Sequence, residues 1–323
     1  MQGSRQPQCP TPATKRLKAR VAAAVHRSVG SITPVLQLAL DNDSRFESTV
    51  ADLRQRLSER IAARALELPL LPDVVAQVIA LSSSDESDAR ELAEVIRRDG
   101  PMSAHILRLA NSPLFRPRTP IVSLQQALSR LGMTQIRQIA FAVSCRQRVF
   151  RARGYEPEVL ASFRHSFAAG LAAQELARAR RWNVEEAFLA GLLHDVGRPV
   201  LLQAIVDMYG GNRLLNRHAV LTVVAELHAQ VGGMLAQKWS LSARIAEAIA
   251  FHHDPHAAKT APQLSILISF ADDIPASDAD NSEQAAAALV KHPLVPHLNL
   301  YPEELAAIVA RRKDFAETLQ AVA

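Results

Sequence analysis

From Pro72 onward the chain is a succession of short apolar-periodic segments, each opened by a capping side chain and closed by glycine or proline. That punctuation admits packed helices and little else. Asp88-x-x-Glu91 has the form of a capping box, and Asp99-Gly100-Pro101 ends one segment and opens the next. Ser123-x-x-Gln126 caps a helix that Gly132 closes, and Thr134 can start another running to about Phe150 before Gly154 and Pro157 break the chain. A long helix is expected from about Glu158 to Ala179. Asn183-x-x-Glu186 caps the following one, whose stripe is Phe188, Leu189, Leu192, Leu193 and Val196; Gly197 stops it and Pro199 can begin the next. Thr222 to Trp239, Ser242 to His253 and Pro262 to Asp272 read as three more, and residues 284–323 as one or two terminal helices. There is no sustained period-2 run and no internal repeat, so the expected class is all-α.

Upstream, Leu53, Leu57, Ile61 and Leu68 place a helix from about Ser48 to Leu66, and Leu68-Pro-Leu-Leu-Pro72 interrupts it. Residues 1–16 read as a disordered tail. Six of the 37 Lys/Arg fall in residues 1–40 with no acidic residue among them, so the rest of the chain, with 32 Asp/Glu, is close to neutral. The net charge of +5 therefore belongs to the head and does not describe a basic domain. The 48% hydrophobic content argues against wholesale disorder, and 12 Gly exclude a collagen-like chain. Two cysteines, Cys9 and Cys145, make no disulfide framework and suit a reducing cytoplasm. No segment reads as transmembrane, and the apolar run after Lys15–Arg20 is too short for a signal peptide. Four regions follow: a basic, partly disordered extension (1–60), an N-terminal helical lobe (61–156), a C-terminal helical lobe (157–275) and a helical extension (276–323).

The chemistry lies in histidines on apolar helix faces. His228 shares a stripe with Val224, Val231 and Leu235, and His252 and His253 continue that of Ile245 and Ile249. Asp272 continues that of Leu264 and Ile268. His165 sits on a small-residue face with Ala168 and Ala172, and His194-Asp195 occupy the last turn of the Phe188/Leu192 helix. Burying such groups without partners costs roughly 1–3 kcal/mol each, so they need one another or a metal. A core histidine with an ordinary hydrogen-bond partner is the simpler reading of any one of them; their recurrence on five helices favours a shared site. Imidazole and carboxylate donors suit Zn, Mn, Fe or Mg, and such a metal could activate water against a phosphoester.

The pattern His165 … His194-Asp195 … Asp272 resembles the H…HD…D signature of the HD superfamily of helical metal-dependent phosphohydrolases. The stretches Leu68–Pro72, Ile106–Pro113, Ser123–Gly132, Ala187–Arg198, His228–Trp239 and Ala248–Pro255 are closer still to one branch, the HDOD (HD-related output) domain of bacterial signalling proteins. The resemblance covers roughly residues 62–275. It implies a two-lobed helical bundle with an HD-like C-terminal lobe, and a regulatory role in signal output. It also implies candidate metal positions at His165, His194, Asp195, His228, His252, His253 and Asp272. His252-His253 are followed by Asp254-Pro255-His256, not by the Gly-Tyr-Pro signature of the cyclic-di-GMP-hydrolysing branch. Arg198 stands where active relatives often carry Lys.

Arg198 and Arg164 are candidate phosphate contacts, and Arg146, Arg148, Arg151 and Arg153 gather with Arg164 near the lobe boundary, as a phosphate or acidic-partner contact or simply as a solvated helix end. Leu92–Asn111 lacks the side chains of a recognition helix, so nucleic acid is not an expected partner. The expected function is cytoplasmic signal transduction by binding a partner protein or a nucleotide, without catalysis. The alternative is a metal-dependent phosphodiesterase acting on a nucleotide or cyclic dinucleotide.

Overall fold

Local capping sets the helix boundaries. The structure is a computed structural model that describes residues 44–71, 76–77, 89–112, 119–210, 215–275 and 282–315. The basic head, Cys9, Asp88 of the capping box and the motif prolines Pro72 and Pro113 lie outside the described residues. The helices are α1 (Ser44–Ala62), α2 (Ala89–Arg97), α3 (Gly100–Ala110), α4 (Leu124–Arg148), α5 (Glu156–Arg180), α6 (Val184–Leu193) and α7 (Gly197–Tyr209). They continue with α8 (Arg217–Lys238), α9 (Ala243–Phe251), a 3-10 turn (Pro255–Ala257), α10 (Pro262–Asp273), α11 (Ser282–Val290), α12 (Val295–Leu298) and α13 (Pro302–Ala310). No strand occurs among the described residues.

The capping residues act as their chemistry suggests. Asp99 accepts from Met102 N at 2.9 Å, Ser123 Oγ from Gln126 N at 3.1 Å, and Ser242 Oγ from Ile245 N at 3.2 Å. Asn183 Oδ1 accepts from both Glu185 N and Glu186 N. Gly132, at φ 79°, kinks α4 and separates it into two helical runs. Three readings differ from expectation: α1 runs Ser44–Ala62 where Ser48 to Leu66 was expected, with Arg64 in the left-handed region (φ 52°) just past its end. α8 begins at Arg217 because Asn216 caps it, accepting from Ala219 N at 3.1 Å. The C-terminal segment holds three short helices where one or two were expected, because Asn299 in the left-handed region turns the chain between α12 and α13.

α2 and α3 pack on α4, and α4 reaches α6. In the second lobe α5 lies against α6 and α10, α8 against α7 and α9, and α9 bridges to α6 and α10. α11 packs on α13, which returns to α5. Phe141, Phe150, Phe163, Phe188 and Phe270 are fully buried in one continuous core. α1 packs on α8: Leu53 and Leu57 are fully buried, and Arg54 pairs with Glu226 through two contacts of 2.5 and 2.7 Å. Trp239 Nε1 donates to Pro69 O and Lys238 Nζ to Leu68 O, tying the segment after α1 to the end of α8.

Two stretches, Val184–Tyr209 and Arg217–Lys238, are long and apolar enough to cross a membrane by length and composition, yet 72% and 67% of those windows are buried inside the protein. They are the central helices of the core. Close approach there depends on glycine. A Cβ on Gly191 would stand 2.7 Å from Gly170 Cα, and one on Gly197 would stand 2.0 Å from His228 O. The second contact presses the start of α7 onto the middle of α8, where the site begins.

Candidate metal centre

All seven candidate ligands converge. His165 comes from α5, His194 and Asp195 from the turn after α6, His228 from α8, His252 and His253 from the turn after α9, and Asp272 from α10. His194 and His228 are fully buried and His252 nearly so. The side chains of His165 and Asp272 are 27% and 22% exposed, so the cluster opens to solvent on their side.

Helix geometry fixes the rings. Three histidines direct Nδ1 at the carbonyl three residues back: His194 at Gly191 O (2.7 Å), His228 at Ala225 O (2.9 Å) and His252 at Ile249 O (2.7 Å). At the ends of α6 and α9 these carbonyls have lost their helical partners and are free to accept. An Nδ1 that donates to a carbonyl leaves Nε2 of a neutral ring as a bare lone pair.

Those Nε2 atoms then meet. His228 Nε2 is 3.3 Å from His252 Nε2 and 3.1 Å from His253 Nε2. Bare lone pairs on His228 and His252 repel at this range, a repulsion that a cation would relieve, while His253 in its Nε2–H tautomer can donate to His228. Bonds of about 2.0–2.1 Å from nitrogen to a common ion would set neighbouring donors about 2.9–3.4 Å apart, which is the spacing found. A second group joins His165, His194 and Asp195, with Asp272 beside them. Asp272 Oδ1 lies 2.6 Å from His165 Nε2 and 3.2 Å from His194 Nε2, and Asp195 Oδ2 is 3.7 Å from His194 Nε2. His194 Nε2 and Asp195 Oδ1 are buried without an aligned hydrogen bond, although Asp195 Oδ1 has Arg198 Nε at 2.7 Å and His228 Nε2 at 3.0 Å. Those contacts are electrostatic but off-axis. Orphaned donor atoms of both types, nitrogen and carboxylate, fit a divalent ion of the Zn, Mn or Fe kind.

The electrostatics separate the two groups. Burial pushes the His252 and His253 pKa values down, His253 to about 3, and the neighbouring histidines add to this, so both rings are neutral. Burial and then Arg198 lower His228 likewise. Burial works against His194 too, but Asp195 and Asp272 outweigh it and raise its pKa to about 9. His194 is thus the group that takes a proton when no cation is bound. Burial pushes both carboxyls up; Arg198 for Asp195 and His165 for Asp272 reverse this and hold them well below the usual carboxylate range.

Residues 68–255 match the HDOD domain family. This chain belongs to the HDOD family. Six of the seven candidate ligands lie inside the matched span of this HDOD protein, and Asp272 lies just C-terminal to it. An uncharacterized protein of Treponema pallidum (strain Nichols) is 25% identical over 226 residues, which cover 67% of this chain and 44% of that protein. The chain thus spans less than half the length of that relative. Among solved structures, a protein of Shewanella amazonensis SB2B named as a metal-dependent phosphohydrolase has a TM-score of 0.65 at 23% identity, covering 85% of this chain and 98% of that one. One from Marinobacter aquaeolei VT8, named as a signal transduction protein, has a TM-score of 0.60 at 19% identity, covering 85% and 66%. Both likenesses concern the fold, and with it the two-lobed all-α architecture.

Two residues matter more than their sequence context indicates. Arg198, a candidate phosphate contact by sequence, is turned inward with its side chain 12% exposed, and serves as the counter-ion of Asp195. Gly197 sets the spacing between Asp195 and His228; its position directly after His-Asp-Val is the only sequence signal for this. Arg164, the other phosphate candidate, is exposed on α5.

Proposed function

We propose that this HDOD protein is a cytoplasmic signalling module that holds one divalent ion at His165, His194, Asp195 and Asp272 and acts by binding a partner protein or a nucleotide, without turnover. The observation that carries this reading is the grip of Arg198 on Asp195. Two-metal hydrolysis needs a carboxylate free to bridge both ions and an open position for water. Here Asp195 Oδ1 faces Arg198 Nε at 2.7 Å, which leaves Oδ2 to serve one ion, and Asp272 Oδ1 faces His165 and His194. A fixed guanidinium beside the shared carboxylate opposes a second cation. The ion then serves to lock α5, α6 and α10 together, and the locked helices present the surface that a partner reads. The relative from Marinobacter, named for signal transduction, supports the same direction.

A second reading is a metal-dependent phosphohydrolase acting on a nucleotide or cyclic dinucleotide. The trio His228, His252 and His253 favours it, because three neutral imidazoles adjoin the first group and could take a second ion or a phosphate. A bound metal would supply Lewis acidity to a phosphoester oxygen and acidify a water. His194 would then hold the ion while Arg198 keeps Asp195 ionised. Metal analysis combined with a phosphodiesterase assay in Mn, Fe, Mg and Zn separates the two. Bound metal without turnover supports the signalling module. Turnover that disappears in His194→Ala and Asp195→Ala establishes the enzyme instead.

A further inference from the structure

The arginines at the lobe joint are not used by the metal centre. Arg146 stands in the last turn of α4, Arg151 in the following turn and Arg164 on α5, so the group spans the connection between the lobes. The Arg146 guanidinium lies over the Phe163 ring, 5.9 Å from its centroid, and Phe163 packs edge-on against Phe150 at 5.2 Å. This apolar wall half-buries the cation. Arg146 Nε is buried without a hydrogen-bond partner.

Among the described residues no carboxylate forms an ion pair with Arg146, Arg148, Arg151, Arg153 or Arg164. The acidic side chains at the start of α5 are already engaged: Glu158 binds Arg217, and Glu156 accepts from Gly154 N at 2.9 Å. Burial first, and then the charges of Arg151 and Arg164, push the Arg146 pKa below its usual value. The Phe150–Phe163 contact brings Arg151 and Arg164 near this half-buried guanidinium, and a cation so placed with no paired acid is an arrangement that an anion would relieve. Neighbouring guanidinium forks match the acceptor oxygens of a phosphoryl group better than the two coplanar oxygens of a carboxylate.

We propose that Arg146, Arg151 and Arg164 form a binding site for the phosphoryl oxygens of a small ligand, seated across the α4–α5 joint. Such a ligand clamps the two lobes to each other. Because α5 also carries His165, the clamp fixes the helix that supplies one side of the metal centre. The site is independent of whether the centre holds metal.

The test is thermal unfolding of the full chain titrated with inorganic pyrophosphate, a nucleoside triphosphate and a glutamate-rich peptide. The expected result is a saturable, salt-sensitive rise in Tm with pyrophosphate or the nucleotide and none with the peptide; tighter binding of the nucleotide would identify it as the source of the phosphoryl group. Arg146→Met should melt higher than the parent in buffer, since it removes an unpaired half-buried charge, and should lose the ligand-induced rise. The exposed pair Arg151→Gln/Arg164→Gln should melt like the parent in buffer and bind pyrophosphate about tenfold more weakly or less. The proposal is overturned if neither phosphate compound shifts the parent, if both variants keep the full shift, or if only the peptide binds, which would assign the patch to an acidic protein partner.

Discussion

Replacing Gly197 by alanine perturbs the centre without touching a ligand. A Cβ at Gly197 would stand 2.0 Å from His228 O, 2.8 Å from His228 C and 2.9 Å from Gly232 N, whereas ordinary contacts begin near 3.4 Å. All three are backbone atoms of α8, so no side chain can rotate away. The helices must separate by about 1.4 Å at this point, the difference between the two distances. That movement stretches the 3.0 Å contact of His228 with Asp195 and the 3.3 Å contact with His252. Overpacking of this kind costs about 1–3 kcal/mol, partly offset by the better helix propensity of alanine. For a domain of this size the Tm falls by about 2–4 °C per kcal/mol. Metal affinity should fall at least about tenfold, because Gly197 lies two residues after the ligand Asp195, whose backbone moves with it, and ligand constellations tolerate displacements of only about 0.5 Å. Differential scanning calorimetry and metal-binding titration read the two effects. Gly100→Ala is the control: nothing lies within 4 Å of a Cβ there, and its effect should stay within about 0.5 kcal/mol. A Gly197→Ala protein that melts and binds metal like the parent would refute the claim that this contact positions His228.

Four further outcomes are expected. In chelator, stability should fall as pH drops below about 6.5, because the unfolded chain takes protons that buried His228, His252 and His253 refuse, and should fall further in the carboxylate range as Asp195 and Asp272 lose their ion pairs. His194 contributes in the opposite sense: its share of stability is complete below about pH 6.5 and is lost as pH rises through about 9, so a pH series of Tm values with and without His194→Gln should differ mainly on the alkaline side. Arg198→Met should lower the Tm in chelator, leaving Asp195 uncompensated, yet enlarge the rise produced by added metal; a smaller rise would contradict the role of Arg198 as the ion's competitor. Leu57→Ala should cost about 2–5 kcal/mol and loosen α1, whereas Arg54→Ala, removing a partly exposed pair, should cost about 0–1 kcal/mol by denaturant titration.

The sequence showed helix class and most boundaries because both are local. Asp99, Ser123, Asn183 and Ser242 each cap within three residues, and Gly132 needs only its own positive φ. The start of α8 was harder to see: Asn216 caps a first turn, Arg217 to Val220, that adds little to the apolar stripe. The histidines were visible as polar residues on apolar stripes, since burial demands a partner. What periodicity could not show is which nitrogen each ring presents. That follows from carbonyls freed at the ends of α6 and α9, which is a property of where helices stop. Nor could it show that Arg198 turns inward, because an arginine three residues after an aspartate on a helix can equally well reach solvent. The Gly197 approach to α8 is a contact between backbones that no side-chain pattern records.

The central claim is that the converged histidines and aspartates hold a divalent ion. Equilibrium dialysis of chelator-stripped full chain against Mn, Fe and Zn, with metal counted by mass spectrometry, tests it most directly. The account predicts about one tightly held ion per chain, retained on gel filtration and lost in His194→Ala and in Asp272→Asn, while circular dichroism shows both variants still helical. A parent chain that retains no ion from any of the three, or variants that retain as much as the parent, would contradict it.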